Sequence, residues 1–329
     1  MQKIAIIGTG GISRAHIQGY LNFSDRCQIV ALVDIYPEKA EEKKRQYRLN
    51  DAKVYSSHSD ILSDKNIDVF DICTPPYVHA EIAIDALNAG KHVLCEKSIT
   101  LNAKELEEAK QLAEENGVVL AEAMTIYHMP LYKKLQEVIR SGKLGKLCMA
   151  QMNFGSYKEY DMQNRFFNPN LAGGALLDIG VYAISFIRSF MSCTPDQVVS
   201  QVKFAPSGVD EQAGILLMNP AGEMATIALT LHAKQPKRGM LAFENGYVEI
   251  YDYPRAEKAV IAYTEDASQE VIECGSTKDA LWYEVNDMEE AVSGAADEMH
   301  FDYTVDVMNV MTEIRKAWGL SYPEERESL

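Results

Sequence analysis

The chain has 329 residues, 47% hydrophobic and 24% charged, which is the composition of an ordinary globular protein and a length comfortable for two domains. Its formal net charge of -16 opposes non-specific binding to nucleic acid or an anionic membrane, so neither is expected as a partner. No apolar run reads as approaching the ~20 residues that span a bilayer, and the N-terminus enters a strand pattern directly, without a leader-like segment. Cys27, Cys73, Cys95, Cys148, Cys193 and Cys274 lack metal-like spacing. The expectation is free thiols in a reducing cytoplasm, no disulfide framework and no metal.

The first elements read as strand, tight turn and helix. The apolar run Ile4–Ile7 breaks into Gly8-Thr9-Gly10-Gly11 and then, past Ile12, into a helical pattern. That order sets a helix N-terminus and bare backbone N–H groups against a pyrophosphate. Gly8 permits the turn and Gly10 lets the backbone approach the phosphates. Ser13 stands at the third fingerprint position and is small enough for close helix–strand packing. The next strand, Ile29 to Val33, ends in Asp34, with Ile35 after it. An acidic residue about twenty positions after the glycines is where the ribose hydroxyls of a dinucleotide are held. NAD is therefore expected over NADP, because Asp34 would face a 2′-phosphate and Ile35-Tyr36 supply no arginine for it. Lys43, Lys44 and Arg45 follow further along the helix.

Up to Ala123, strands are expected at Lys3–Ile7, Cys27–Val33, Val69–Cys73, His92–Cys95 and Val118–Ala121. Helical patterns lie between them, around Arg14–Leu21, Pro37–Arg48, His79–Ala89 and Asn102–Asn116. Strands alternating with helices of this length imply a doubly wound α/β Rossmann parallel sheet over residues 1–123. From residue 124 to 329 the pattern is α+β with a large open antiparallel sheet. Helices are expected at Leu131–Arg140 and Ala175–Phe190, and at the end of the chain at Trp282–Val292 and Tyr303–Trp318. Strands are expected near Cys148–Phe154 and over Val198–Phe204, Gly214–Met218, Met224–His232, Met240–Phe243, Tyr247–Tyr251 and Lys258–Tyr263. Asn219-Pro220-Ala221-Gly222 and Glu244-Asn245-Gly246 read as hairpin turns between them. Gly214–Met218 is apolar on both faces, so one face calls for a second partner. A homodimer, or a tetramer of dimers, joined through this sheet follows as an expectation.

Open α/β sheets bind ligands outside the carboxyl ends of their strands. Glu96-Lys97 falls there, where a lysine can hydrogen-bond a substrate oxygen and move a proton as hydride leaves the carbon. The loop Cys73-Thr74-Pro75-Pro76 and His79 fall at another strand end, and His16 lies beside the glycine turn. A second constellation is Asp178 with Tyr182, four residues apart and so one helical turn apart on one face. Asp178 can hold a substrate hydroxyl or a lysine. Tyr182 can exchange a proton if its pKa falls from about 10 to about 7, which takes roughly 4 kcal/mol. A nearby lysine ammonium could supply much of that.

Taken together, GTGGIS, Asp34, TPPYVH, CEKS, RSGKLGKL, FFNPNLAGGALLDIGVYAI and MTEIRKAWGLSYP resemble the Gfo/Idh/MocA oxidoreductase family over nearly the whole chain. The resemblance implies NAD or NADP in the N-terminal domain, with Gly8, Thr9, Gly10, Gly11, Ile12, Asp34, Ile35, Cys73, Thr74, Pro75, His79, Glu96 and Lys97 around it. It implies a sugar, polyol or related alcohol as substrate, and catalytic roles for Lys97 and Asp178. Two positions depart from the usual pattern. Ser98 stands where the family has proline after the lysine, and Tyr182 stands where many members have histidine. The tyrosine is similar to the branch holding glucose-fructose oxidoreductase and dimeric dihydrodiol dehydrogenase, which moves the proton-transfer role to Tyr182.

A non-catalytic dinucleotide sensor of the same fold is the competing class, and retention of Lys97, Asp178 and Tyr182 together favours the enzyme. A dehydrogenase of amino or hydroxy acids would need an arginine clamp for a carboxylate. Arg165 and Arg188 lie near the substrate motif, and of these Arg165, within the loop Tyr157–Asn168, is the candidate substrate contact.

Overall fold

The computed structural model describes residues 1–22 and 25–325. The chain forms two compact units, Met1–Met124 with Asp279–Phe301, and Thr125–Lys278 with Asp302–Leu329. The linear division expected after residue 123 leaves out the return of Asp279–Phe301 to the first unit. Packing accounts for that return. Helix Ala280–Ser293 buries Val285 and Met288 in a cluster with Ile4, Ile17 and Tyr20. Gly19 lets the two backbones approach, since a Cβ there would lie 3.2 Å from the Leu281 carbonyl oxygen.

In the first unit the elements run β1 (Gln2–Ile7), α1 (Ser13–Leu21), β2 (Cys27–Val33), α2 (Pro37–Gln46), β3 (Lys53–Tyr55), β4 (Val69–Ile72), α3 (His79–Asn88), β5 (His92–Glu96), α4 (Ala103–Asn116) and β6 (Leu120–Ala123). The sheet order is β3-β2-β1-β4-β5-β6 and every pairing is parallel. β4 and β6 are buried along their whole length, as expected of parallel strands covered on both faces. The order reverses between β1 and β4, whose ends Ile7 and Ile72 are register partners. A doubly wound sheet binds its ligand at such a reversal. β3 was not expected from sequence; it is a three-residue edge strand, too short to carry a period.

The second unit begins with α5 (Thr125–His128) and α6 (Pro130–Arg140), followed by β7 (Leu147–Gly155), a single π turn (Leu176–Gly180) and α7 (Val181–Phe190). Seven further strands follow: β8 (Gln197–Phe204), β9 (Asp210–Met218), β10 (Met224–Thr230), β11 (Gln235–Phe243), β12 (Gly246–Tyr251), β13 (Lys258–Tyr263) and β14 (Gln269–Glu273). The last helix spans Phe301–Trp318. The sheet order is β14-β13-β12-β11-β7-β10-β9-β8. Both expected hairpins form, joining β9 to β10 and β11 to β12.

The large antiparallel sheet forms as expected, with one parallel pairing in it. The sheet is not wholly antiparallel, because β7 inserts between β10 and β11 and pairs parallel with β10. A chain read as successive hairpins gives no sign of an earlier strand entering the middle. β11 also starts at Gln235 rather than Met240. Pro236 cannot donate to the ladder, and the register shifts between Gln235 and Arg238 where it lies. β14 is a polar edge strand with Ile272 as its buried residue, hence without an apolar period. An apolar stretch of membrane-spanning length does occur, at Pro169–Phe190. It supplies the core, with 78% of its most apolar window buried.

Candidate active site

At the carboxyl end of β1 the chain turns through Gly8, whose φ is +91° and whose N–H donates to the Val33 carbonyl at 2.8 Å. A side chain there is excluded twice. L-residues avoid that φ, and a Cβ would lie 2.9 Å from the backbone of Cys73 and Thr74. The β1 and β4 loops are thus packed backbone to backbone. Gly10 and Gly11 are exposed, with nothing within 4 Å of where a Cβ would stand. Ser13 Oγ donates to the Gly10 carbonyl at 2.8 Å and closes the turn. Among the described residues no side chain caps the start of α1, and its first turn carries no acid. Its free N–H groups and an open glycine surface fit a pyrophosphate.

Asp34, at the end of β2, accepts from the Thr9 N–H at 2.9 Å and the Thr9 hydroxyl at 2.7 Å through one oxygen. Its other oxygen accepts from the Tyr36 N–H at 3.0 Å. The carboxylate is therefore locked to the glycine turn, with lone pairs left over for ribose hydroxyls. Ile35 is 77% exposed beyond it. Lys39, in the first turn of α2, lies 4.4 Å from the Tyr36 ring centroid. Lys43, Lys44 and Arg45 occupy the last turn of α2, at the far end of the helix from Asp34.

Lys97 follows β5 and is half-buried, and the Lys97–Ser98 peptide is cis although Ser98 is not proline. Its N–H donates to Glu96 Oε2 at 3.2 Å. Beneath it runs a buried row of charges. His16 places Nε2 2.9 Å from Glu96 Oε1 and Nδ1 2.9 Å from Asp71 Oδ2. Burial works against a charged ring, yet Asp71 and Glu96 together hold the His16 pKa well above the usual histidine range. Burial likewise opposes ionisation of Glu96, and the His16 bond overrides it, so that the Glu96 pKa is lowered. His16, Asp71 and Cys73 offer ligand atoms within 4.8 Å of one another. A ring protonated on both nitrogens has no lone pair left for a metal.

His79 is fully buried, with Nδ1 2.8 Å from the Ser98 carbonyl and Nε2 2.8 Å from the Thr74 carbonyl. It ties the β4 loop to the lysine turn and acts through these two loops. Cys73 is also buried, its thiol 3.6 Å from Asp71, so it offers a ligand its backbone rather than its sulfur. Thr74 and Pro75 are more open.

In the second unit Asp178 lies within the π turn and Tyr182 in the first turn of α7. Over the described residues 172–187, Asp178 and Tyr182 are the two that are not buried. Single π turns recur at functional sites because they aim one side chain out of the helical sequence of faces. Asp178 is 3.9 Å from the Arg165 guanidinium, which packs 4.2 Å from the Phe166 ring. Tyr182 packs against Phe154 with ring centroids 6.2 Å apart. Arg188 is used elsewhere, bonded at 2.6 Å to Asp306.

Residues 2–124 match the Gfo/Idh/MocA oxidoreductase family's NAD-binding Rossmann fold, and residues 132–251 match the family's C-terminal domain. The chain belongs to the Gfo/Idh/MocA family. Among relatives, scyllo-inositol 2-dehydrogenase (NADP(+)) IolU of Bacillus subtilis is 29% identical over 99% of this chain and 100% of that protein. Trans-1,2-dihydrobenzene-1,2-diol dehydrogenase of Mus musculus is 27% identical over 92% of both chains. Two solved structures share the fold. Levoglucosan dehydrogenase in complex with NADH and levoglucosan gives a TM-score of 0.87 at 20% identity, covering 98% of this chain and 99% of that one. KijD10, a 3-ketoreductase from Actinomadura kijaniata in complex with NADP and TDP-benzene, gives 0.82 at 19% identity, covering 95% of both. As a Gfo/Idh/MocA protein the chain is an oxidoreductase with an NAD(P)-binding Rossmann domain.

Sequence reasoning missed the His16–Asp71–Glu96 row. His16 was singled out, but Asp71 sits inside a strand and reads as a lone polar residue in a core. It missed the π turn as well, since i,i+4 spacing is shared with an α-helix.

Proposed function

We propose that this protein is an NAD-preferring dehydrogenase of a secondary alcohol on a cyclic sugar, polyol or dihydrodiol-like ring. The observation that carries the reading is the pair Asp178 and Tyr182, the two openings in an otherwise buried stretch. In the oxidative direction Tyr182 accepts the hydroxyl proton and Asp178 orients the hydroxyl, with Lys97 the second proposed proton-transfer group. A bound nicotinamide dinucleotide would supply the hydride acceptor. Arg165, beside Asp178, is the proposed further substrate contact. The relatives' own substrates, an inositol and a ring dihydrodiol, agree with a cyclic alcohol.

NAD preference rests on Asp34, whose charge at 4 Å from a 2′-phosphate costs about 4 kcal/mol per unit charge at an effective dielectric near 20. The test is a panel of scyllo-inositol, D-xylose, levoglucosan and a dihydrodiol with NAD and with NADP, followed by reduced-nicotinamide absorbance. Turnover faster with NAD than with NADP supports the reading. Tight NAD binding without turnover of any ring alcohol would favour the sensor.

The same reading places the protein in the cytoplasm as a homodimer or a tetramer of dimers. Among the described residues all six cysteines are free, three of them buried. The outward face of the eight-stranded sheet carries the exposed Val199, Leu216, Tyr247 and Val271. Val199 and Leu216 are cross-strand partners. A monomer at micromolar concentration in light scattering would sink the oligomer.

A further inference from the structure

The segment that carries Asp178 and Tyr182 begins at Gly173-Gly174, and its start is held by residues far away in sequence. Asp210, the first residue of β9, is fully buried. One of its oxygens accepts from the Leu176 N–H at 2.6 Å. The other has no hydrogen-bond partner among the described residues, and it fills the space over Gly174. A Cβ on Gly174 would lie 2.1 Å from that oxygen, and Gly174 has φ +131°. Asp178 N–H donates in turn to the Gly174 carbonyl at 3.2 Å, so the carboxylate, the glycine and the first turn form one unit.

A second layer backs the first. The Tyr322 hydroxyl donates to the Gly173 carbonyl at 2.7 Å. Arg315, buried in the last helix, stacks 4.7 Å from the Tyr322 ring and pairs with Glu325. Glu325 also accepts from the Tyr322 N–H at 2.7 Å. This C-terminal strap closes over the glycine pair.

We propose that Asp210 is a positioning residue for the reaction: its carboxylate anchors the first turn of the segment bearing Asp178 and Tyr182, and Arg315, Tyr322 and Glu325 hold it there. The inference rests on the catalytic roles proposed for Asp178 and Tyr182. A helix start exposes unsatisfied N–H groups, and an ionised carboxylate satisfies them better than a neutral one. Burial pushes Asp210 up to about 7, against the Leu176 and Ala175 N–H groups and the Arg315 charge that favour ionisation. The charged or titratable groups that bear on it are Arg315 and Tyr322, with Glu325 paired to Arg315 behind them. Neighbouring Glu211 turns instead to Lys203 and Tyr160. Loss of the Asp210 charge near pH 7 therefore loosens the first turn, and kcat falls with it.

Asp210→Asn and Tyr322→Phe test this in the intact chain with two readouts. The first is hydrogen exchange of the peptide spanning residues 174–187, corrected for intrinsic rates, below and above pH 7. The second is kcat and KM on the fastest ring alcohol of the panel, against pH. Wild type should show protection and kcat that both rise through pH 7. Asp210→Asn should lower kcat about tenfold or more, with KM for NAD unchanged, and the rise in protection through pH 7 should vanish, while the part of the kcat rise that Tyr182 ionisation gives remains. Tyr322→Phe should lower kcat less and keep the pH dependence. Wild-type protection, kcat and pH profile in Asp210→Asn would overturn the proposal. So would a loss of protection spread evenly over the chain with the pH profile unchanged. If no ring alcohol turns over, the substrate reading fails while the exchange experiment still decides Asp210.

Discussion

Lys97 and Tyr182, the two side chains proposed to carry the reaction, stand on different supports. Under Lys97 the β5 end rests on three buried charged groups, Glu96, His16 and Asp71, bonded in a row at 2.9 Å. Around Tyr182 the neighbours are aromatic and apolar, Phe154 beside it and a buried π turn before it, with a single buried acid at the start of the segment. A row of paired charges is rigid because each member leaves a costly orphan if another moves. An apolar seat tolerates small shifts, and its aim depends on how the turn starts. Removing a group should therefore damage folding in the first place and chemistry in the second.

The largest effect belongs to chemistry. Tyr182→Phe should lower kcat by about 10²–10⁴-fold, the usual loss for a proton-transfer group, with NAD affinity and thermal stability nearly unchanged. Lys97→Ala should cost a similar factor. Near-normal turnover by Tyr182→Phe would leave Lys97 as the sole acid–base group and erase the contrast.

His16→Ala should instead act on stability. It strands Asp71 and Glu96 in the interior, a loss of about 3–5 kcal/mol for a broken buried pair. The pH dependence has a definite sign. The His16 pKa is raised in the folded state, so its contribution is full below the unfolded value of 6.5 and is lost as pH rises through the folded value. The Glu96 pKa is lowered, so its contribution is present above 4.5 and is lost as pH falls through the folded value. Denaturant unfolding should thus show the widest gap between variant and wild type from pH 4.5 to 6.5. A gap independent of pH would mean that packing, not charge, holds the lysine turn.

The glycine turn sharpens the comparison with a smaller effect. Gly8→Ala forces a Cβ against the Cys73 and Thr74 backbone at φ +91°. It should lose about 1–3 kcal/mol of stability and weaken NAD binding by titration calorimetry. Gly10→Ala meets open space, so it should keep its melting temperature and weaken NAD alone. Equal behaviour of the two variants would refute separate structural and ligand roles.

Smallest is the cofactor switch. Asp34→Ser should narrow the NAD over NADP preference by about tenfold, one charge repulsion partly replaced by solvent. Lys39, in the first turn of α2, is the cation available to a 2′-phosphate afterwards. Unchanged preference would assign cofactor choice to residues other than Asp34.

Local chemistry made much of this legible in the sequence. The parallel sheet follows from strand–helix alternation, the glycine turn from Gly8 and Gly10 ahead of Ser13, and the acid proposed for the ribose from its place just after β2. Lys97, Asp178 and Tyr182 stood out by motif, because their surroundings are contiguous in the chain. What the chain alone could not show depends on partners brought from a distance. Asp71 becomes a counter-charge only when α1 lays His16 across β4. Asp210 comes to bond a turn 34 residues earlier only when β9 begins beside that turn. Helix Ala280–Ser293 joins the first unit because apolar side chains seek the core that leaves least surface in water, whichever part of the chain supplies it. Sequence patterns record what a residue is and how its neighbours repeat. Pairing energies of buried charges, and the insertion of β7 between two later strands, exist only once the chain has closed on itself.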